Sequence, residues 1–112
     1  MRTHARQQRF KKQEKLARLF GALSHPARLR IIEILAARKS CICGEIVELM
    51  PLSQSTVSQH LKELRDAGII KGRIDGIRTC YCLDVRGLRK YKDALHAFFE
   101  SLPTNLIDEC CE

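Results

Sequence analysis

The residues best suited to chemistry in this 112-residue chain are six cysteines, which fall into three close pairs. The pairs are Cys41 with Cys43, Cys80 with Cys82, and Cys110 with Cys111. Cysteines so close in sequence form poor disulfides with each other, but their thiolates can chelate a soft ion. A secreted chain with this count would favour three disulfides, whereas in a reducing compartment thiols or metal ligands are expected.

A second group of reactive side chains follows Pro51, where short hydroxyls and amides are concentrated. Such side chains can approach base edges and phosphates closely, and glutamine can pair bidentately with adenine. Cations further along the chain are expected on a helix flank and a hairpin tip, where they would contact the DNA backbone. The predicted DNA-binding set is Gln54, Ser55, Thr56, Ser58, Gln59, His60, Lys62, Arg65, Arg73 and Arg78. The alternative for the polar run is a solvated helix face without a ligand.

The charge balance supports a polyanionic partner, because the net charge is +7 and the pI is near 9.4. Few aromatic residues argue against stacking of single-stranded bases. A membrane is not expected as a partner, since no apolar run approaches the roughly 20 residues of a span. The basic N-terminus lacks the apolar segment of a secretion signal, which favours a cytoplasmic protein. No nucleophile lies near a plausible base and no glycine loop suggests phosphate binding, so an enzyme is not expected.

Apolar residues recur at helical spacing in the first half of the chain, which predicts four helices. The first lies within residues 10–23, and the second begins with Ser24 as N-cap and ends near residues 38–39. Ser53 is expected to cap the fourth helix, which Gly68 ends. Two helices joined by about three residues form a helix-turn-helix. The third helix is predicted from its stripe of Ile42, Ile46, Leu49 and Met50.

After Gly68 the apolar period changes from 3.6 to 2, and the dipeptide Asp75-Gly76 predicts a β-hairpin. With Ile74 opposite Ile77, one face carries Ile70, Ile74, Ile77, Thr79 and Tyr81, and the other carries Lys71, Arg73, Arg78, Cys80 and Cys82. A last helix is expected over residues 88–102. The predicted fold is therefore mainly α with a small β-hairpin wing, in one domain over residues 1–112, with flexible tails at 1–9 and 103–112.

The phrases LSHPARLRIIEIL, CICGEI, LSQSTVSQHLKELRDAGII and GRIDGIRTCYCL together resemble the ArsR/SmtB family of winged helix-turn-helix repressors. The resemblance covers residues 16–102 and implies a homodimer that binds double-stranded operator DNA when free of ligand. It places Gln54, Ser55, Ser58, Gln59 and His60 in the major groove, and the wing from Arg73 to Arg78 in the minor groove. The first and last helices are the expected dimer surfaces.

The same resemblance suggests an inducer. Arsenic-responsive members often carry Cys-x-Cys-x-x-Cys at the start of the third helix; here Cys41 and Cys43 fill two places but Ile46 fills the third. Other arsenic sensors use a vicinal pair near a terminus, which Cys110 and Cys111 resemble. Trivalent arsenic and antimony prefer three thiolates. The predicted inducer is therefore a thiophilic metalloid, arsenite or antimonite, with another thiophilic metal as the alternative. It is bound by Cys41, Cys43, Cys110 and Cys111, with no organic cofactor.

Zinc-responsive members use an Asp-x-His and a His-x-x-Glu pair on the last helix. The corresponding positions here are Asp84, Arg86, Ala97 and Glu100, so both histidines are missing. Two alternatives remain open. One is a persulfide- or oxidant-sensing repressor that joins Cys41 to Cys110. The other, from a different class, is a nucleic-acid-binding module with a structural zinc ion. The Cys80 and Cys82 pair has either a packing role or forms an extra thiol site.

Overall fold

Five helices and a three-stranded sheet are present in the computed structural model, which describes residues 2–38, 40–76 and 78–105. The elements in chain order are α1 (Arg2–Ala22), α2 (Pro26–Ala37), β1 (Ile42–Cys43), α3 (Glu45–Glu48), α4 (Gln54–Asp66), β2 (Ile70–Asp75), β3 (Arg78–Leu83) and α5 (Val85–Glu100). The predicted winged helix-turn-helix is confirmed. Residues 2–9, which we expected to be a tail, form the first turns of α1.

The core is built where α2 packs against α4 and β3, and where α4 packs against β2. The inward residues of α4 are spaced by three or four, which places them on one face of the helix. Ser53 caps α4 as predicted, because its hydroxyl accepts the N–H of Thr56 at 3.4 Å, and Gly68 follows the helix with a φ of 79°. The most deeply buried side chains are Ile31, Ile46, Val57, Leu64, Ile69 and Ile70.

The cap of α2 differs from the prediction. His25, not Ser24, is the N-cap, and its Nδ1 accepts the N–H of Ala27 at 3.0 Å. The hydroxyl of Ser24 instead donates to the Gly21 carbonyl at 2.7 Å, closing the turn after α1. Pro26 occupies the first helical position, where its missing N–H costs nothing.

The sheet contains a strand that the sequence did not predict. Its order is β1-β3-β2, so β3 is central, and Ile42 of β1 pairs with Tyr81. The third helix therefore begins at Glu45, and the prediction that Ile42 belongs to it is wrong. Ile42 is buried by the sheet, because its backbone pairs with β3 instead of winding into α3.

The register of the hairpin also differs from the prediction. Ile74 lies opposite Thr79 and Asp75 opposite Arg78, so Ile74 does not pair with residue 77, which is outside the described residues. The observed register is shifted by two residues from the predicted one. Because side chains alternate between the two faces of a strand, a shift by an even number of residues moves no side chain to the other face. The two predicted faces are therefore retained: Lys71, Arg73, Arg78, Cys80 and Cys82 share one side of the strands.

The start of α5 is fixed against the end of α4. The side chain of Asp84 accepts the N–H of Gly87 at 3.0 Å, and its own N–H donates to the Ile69 carbonyl at 2.9 Å. At the other end, the ring of Phe20 on α1 contacts Phe98 and Phe99 edge-on, both at 6.1 Å between centroids. In the part of the chain that the structure describes, no helix combines the length and apolar character needed to cross a bilayer.

Candidate nucleic-acid interface and cysteine cluster

The outer face of α4 carries the central part of the predicted DNA-binding set. Ser55, Gln59 and Lys62 follow one another at spacings of four and three, opposite the buried side that contains Val57 and Leu61. All nine predicted residues other than His60 are exposed, which leaves them free to contact a ligand. They are Gln54, Ser55, Thr56, Ser58, Gln59, Lys62, Arg65, Arg73 and Arg78.

Two local networks orient the polar groups on this helix. The Ser53 hydroxyl lies 2.9 Å from Thr56 Oγ1 and 3.3 Å from Ser55 Oγ, so three hydroxyls cluster at the helix N-terminus. Gln59 donates from Nε2 to Glu63 Oε1 at 3.1 Å. Glu63 is a functional candidate that the sequence reasoning missed, although the i, i+4 spacing could have revealed it. It fixes the amide of Gln59 in one orientation.

His60 does not belong to the exposed face of α4, and the expectation that its side chain is accessible beside the other predicted DNA-binding residues is wrong. Only 7% of its surface is exposed, because it lies on the inward side of α4 with Leu61 and Leu64. Its Nδ1 accepts a hydrogen bond from Nε of Arg28 at 3.1 Å, and its ring lies 4.3 Å from that of His25. His60 therefore joins α4 to α2.

Burial is the main cause that lowers the pKa of His60 below its ordinary value of 6.5. The positive charges of His25 and Arg28 add to this shift, and Glu63 opposes it. A neutral imidazole is also what the contact with Arg28 needs, since only an unprotonated Nδ1 can accept that hydrogen bond. Arg28, half-buried on α2, was not singled out from the sequence. Its contact spans 32 positions, so only the structure reveals it.

The wing places its cations beside α4, the second helix of the helix-turn-helix, which we call the recognition helix. Arg73 and Arg78 are both exposed, on the same face of the hairpin as Lys71. Arg65 is in the last turn of α4, within 4.0 Å of Asp66 in an exposed ion pair that contributes little stability. These guanidinium groups can reach phosphates without losing a buried partner.

The sheet brings together the first two cysteine pairs. Cys43 lies opposite Cys80 in the register of β1 and β3, and the two are joined by a disulfide. Two residues along, the thiols of Cys41 and Cys82 are free, and Cys41 lies close enough to Cys82 to raise its pKa. The position of Cys43 on a strand corrects the expectation that it lies at the N-terminus of the third helix. The predicted ligands Cys110 and Cys111 lie outside the described residues.

The environment of these thiols sets their acidity and access. Burial, the hydrogen bond from Cys41 and the charge of Cys41 raise the pKa of Cys82, while Lys71 and Arg73 oppose the shift. Lys71 lies opposite Cys82 and Arg73 lies opposite Cys80. A cleft of about 480 Å³ opens beside the cluster. It is lined by Arg38, Ser40, Cys41, Ile42, Cys43, Gly44, Glu45, Glu48 and Arg78.

The zinc positions suggested by the family pattern have other roles. Asp84 is the N-cap of α5, so its carboxylate is engaged with the backbone of Gly87. Arg86 and Glu100 are exposed at opposite ends of the same helix.

Comparison with known proteins agrees with this geometry. A family model described as a helix-turn-helix domain matches residues 23–73. The HTH-type transcriptional regulator YgaV of Escherichia coli is 39% identical over 70 residues, which cover 62% of this chain and 71% of that protein. The transcriptional repressor SmtB homolog of Synechocystis is 33% identical over 89 residues, covering 79% of this chain and 67% of that one. The crystal structure of a possible transcriptional regulator for arsenical resistance has a TM-score of 0.63 at 28% identity, covering 72% of this chain and 83% of that one.

Proposed function

This chain belongs to the ArsR/SmtB family of winged helix-turn-helix transcriptional regulators, and we propose that it is a cytoplasmic repressor whose homodimer binds operator DNA and releases it on binding arsenite or antimonite. The observation that carries the DNA-binding part is the exposed polar face of α4 next to the exposed arginines of the wing. Hydroxyls and amides at the start of α4 suit base edges, and its N-terminal N–H groups suit a phosphate.

A dimer is supported by apolar surface on α1 and α5. Phe10, Phe99 and Leu102 expose 62%, 57% and 46% of their surfaces, which is unfavourable in water. A groove of about 950 Å³ runs between the two helices, and Leu102 lines it. Two copies joined along this face would present two recognition helices, and two half-sites about 34–36 Å apart supply the specificity that one helix lacks. Sedimentation equilibrium tests this part: a monomer at micromolar concentration would contradict it.

The cysteines provide the link from inducer to DNA. Cys41 and Cys43 directly precede α3, and Ile46 of α3 is buried in the core with 1% of its surface exposed. A ligand held by these two thiolates pulls on the segment that leads into the helix-turn-helix. The required coupling is modest, since a change of about 1–3 kcal/mol corresponds to a 5- to 150-fold change in DNA affinity.

The test is DNA release by the metalloid. A duplex selected by the reduced protein from a random pool serves as operator, and its binding is followed by fluorescence anisotropy with and without arsenite. We expect arsenite to release the wild-type protein, whereas a Cys41→Ser/Cys43→Ser variant binds DNA and ignores arsenite. Release of that variant at wild-type arsenite concentrations would contradict the proposal.

Redox control is a second candidate, favoured by the disulfide between Cys43 and Cys80. A peroxide oxidises two thiols to a disulfide, and its two oxygen atoms leave as two water molecules. The bond would join β1 to the wing instead of joining Cys41 to Cys110. Operator affinities of the oxidised and reduced wild-type protein, compared without arsenite, distinguish this function: equal affinities would exclude it.

A further inference from the structure

Resting on the proposed release by arsenite or antimonite, we infer that the metalloid binds across β1 and β3, in a site that the wing cysteines Cys80 and Cys82 complete. The remaining thiolates of the site are those of Cys41 and Cys43. The vicinal pair near the C-terminus, Cys110 and Cys111, is then not required for binding.

The register of the sheet supports this arrangement. Cys43 lies opposite Cys80, and two residues along, Cys41, which directly precedes β1, lies close enough to Cys82 to raise its pKa. Alternate residues of a strand share a face, and residues directly opposite each other in an antiparallel pair also share a face. Cys43, Cys80 and Cys82 are therefore on one side of the sheet, and Cys41 lies next to Cys82. Each Cys-x-Cys motif alone offers two thiolates, and only the pairing of the strands gives more than two.

Trivalent arsenic prefers a third thiolate, which β3 supplies. Arsenite reacts as As(OH)₃ with three thiols: three As–S bonds form, three As–O bonds break, and the thiol protons leave with the hydroxides as three water molecules. Three of the four cysteines satisfy this stoichiometry. Neutral arsenite can reach them through the cleft that contains Cys41 and Cys43 in its wall.

The charges around the site are mixed. Lys71 and Arg73 of β2 lie opposite Cys82 and Cys80 on the same face, and Arg78 lines the cleft, all of which favour thiolates. Glu45 and Glu48 line the same cleft, and their negative charges disfavour thiolates. A neutral arsenic trithiolate product tolerates both signs of charge.

The disulfide makes this site conditional on reduction. With the Cys43–Cys80 bond formed, no group of three or more ligating side chains is present among the residues that the structure describes. A phosphine breaks the bond by taking up one oxygen atom from water and leaving two thiols. The reduced protein therefore binds arsenite, whereas among the described cysteines the oxidised protein leaves only Cys41 and Cys82 free.

Ligation at this position has a direct mechanical consequence. β1 leads through Gly44 into α3, and β3 is the central strand of the sheet and one of the two strands of the wing. A metalloid held by both strands therefore fixes the wing relative to the start of the helix-turn-helix, the two parts that must fit the DNA together.

Arsenite titrations of three phosphine-reduced proteins test the site, followed by native mass spectrometry and by the absorption of the sulfur-to-arsenic bonds. The proteins are the wild type, Cys80→Ser/Cys82→Ser, and the matched control Cys110→Ser/Cys111→Ser. We expect the wild type and the control to bind one arsenic per subunit with equal affinity, and the wing variant to lose that binding. Arsenite binding by the wing variant at wild-type affinity would overturn the inference.

Oxidised wild-type protein provides a test that needs no substitution at the buried Cys80. Peptide mapping verifies the Cys43–Cys80 bond; we expect no arsenite binding until phosphine reduces that bond, and equal binding in both states would overturn the site. Operator release is measured separately on the same samples. Arsenite binding through the wing without operator release would contradict the proposed function but support this site. Operator release that depends on Cys110 and Cys111 would support the proposed function but contradict this site.

Discussion

Tyr91 is a single residue whose burial and polarity are in conflict. Only 4% of its surface is exposed, and its hydroxyl has no hydrogen-bond partner among the described residues. Burial raises its pKa to about 12. An unpaired buried hydroxyl costs about 1–3 kcal/mol, so we expect Tyr91→Phe to raise the free energy of unfolding by about 1 kcal/mol. Urea denaturation measures this, with Tyr81→Phe at a half-buried position as control; a lower stability of Tyr91→Phe would show that the hydroxyl has a partner.

His60 predicts how stability changes with pH. Because burial lowers its pKa in the folded state, the unfolded chain binds a proton more readily, and the contribution is present above the ordinary value of 6.5 and lost as pH falls below it. Protonation also removes the acceptor for Arg28. We expect the melting temperature to drop between pH 8 and about pH 5.5, and to drop less in His60→Gln, whose amide oxygen can still accept from Arg28. His96→Gln, at an exposed position of α5, is the control; an unchanged drop in His60→Gln would contradict the assignment.

The contact between α5 and the end of α4 depends on a position without a side chain. A Cβ at Gly87 would collide with the carbonyl oxygen of Gly68. Because that oxygen is a backbone atom, it cannot easily move away. We expect Gly87→Ala to lower the free energy of unfolding by about 1–3 kcal/mol. Gly21→Ala is the matched control, because a Cβ there meets nothing within 4 Å. On helix α1 that change should stabilise by up to about 1 kcal/mol, and similar effects of the two changes would contradict the packing argument.

The elements that local signals specify were predictable. Ser53, Gly68 and the turn beginning at Asp75 act through neighbouring residues, and α4 and the hairpin appear where the sequence places them. β1 was not predictable, because Ile42 has an apolar neighbour at helical spacing in Ile46, and pairing across 39 positions with Tyr81 decides its conformation. The cysteine cluster depends on the same pairing and was missed for the same reason.

The misassignment of His60 has a different cause. Its spacing of three from Val57 and four from Leu64 already places it on the inward face of α4, so the periodicity contained the answer. Its polarity suggested DNA contact instead. Its partners Arg28 and His25 lie on α2 and at the N-cap of α2, which only folding brings close to α4.

For the whole molecule, the net charge of +7 raises the question of which cations act at the DNA surface. Each phosphate that a protein neutralises releases counterions, so DNA affinity falls with salt more steeply as the number of neutralised phosphates increases. Arg73 and Arg78 are exposed on the wing, whereas the exposed cations Arg89 and Lys92 lie on α5, a helix of the proposed dimer surface. Position, not charge alone, should therefore decide their effect.

We expect Arg73→Ala/Arg78→Ala to weaken operator binding and to reduce the slope of log affinity against log salt by about one for each phosphate that is no longer neutralised. The control Arg89→Ala/Lys92→Ala removes the same charge, so it reports the general attraction between a basic protein and DNA, and its slope should stay near that of the wild type. Anisotropy titrations at several salt concentrations measure all three slopes, with sedimentation confirming that each protein has the same oligomeric state. If the slope fell equally in both double variants, DNA would be attracted by the overall charge, and the wing would make no specific interaction with the backbone.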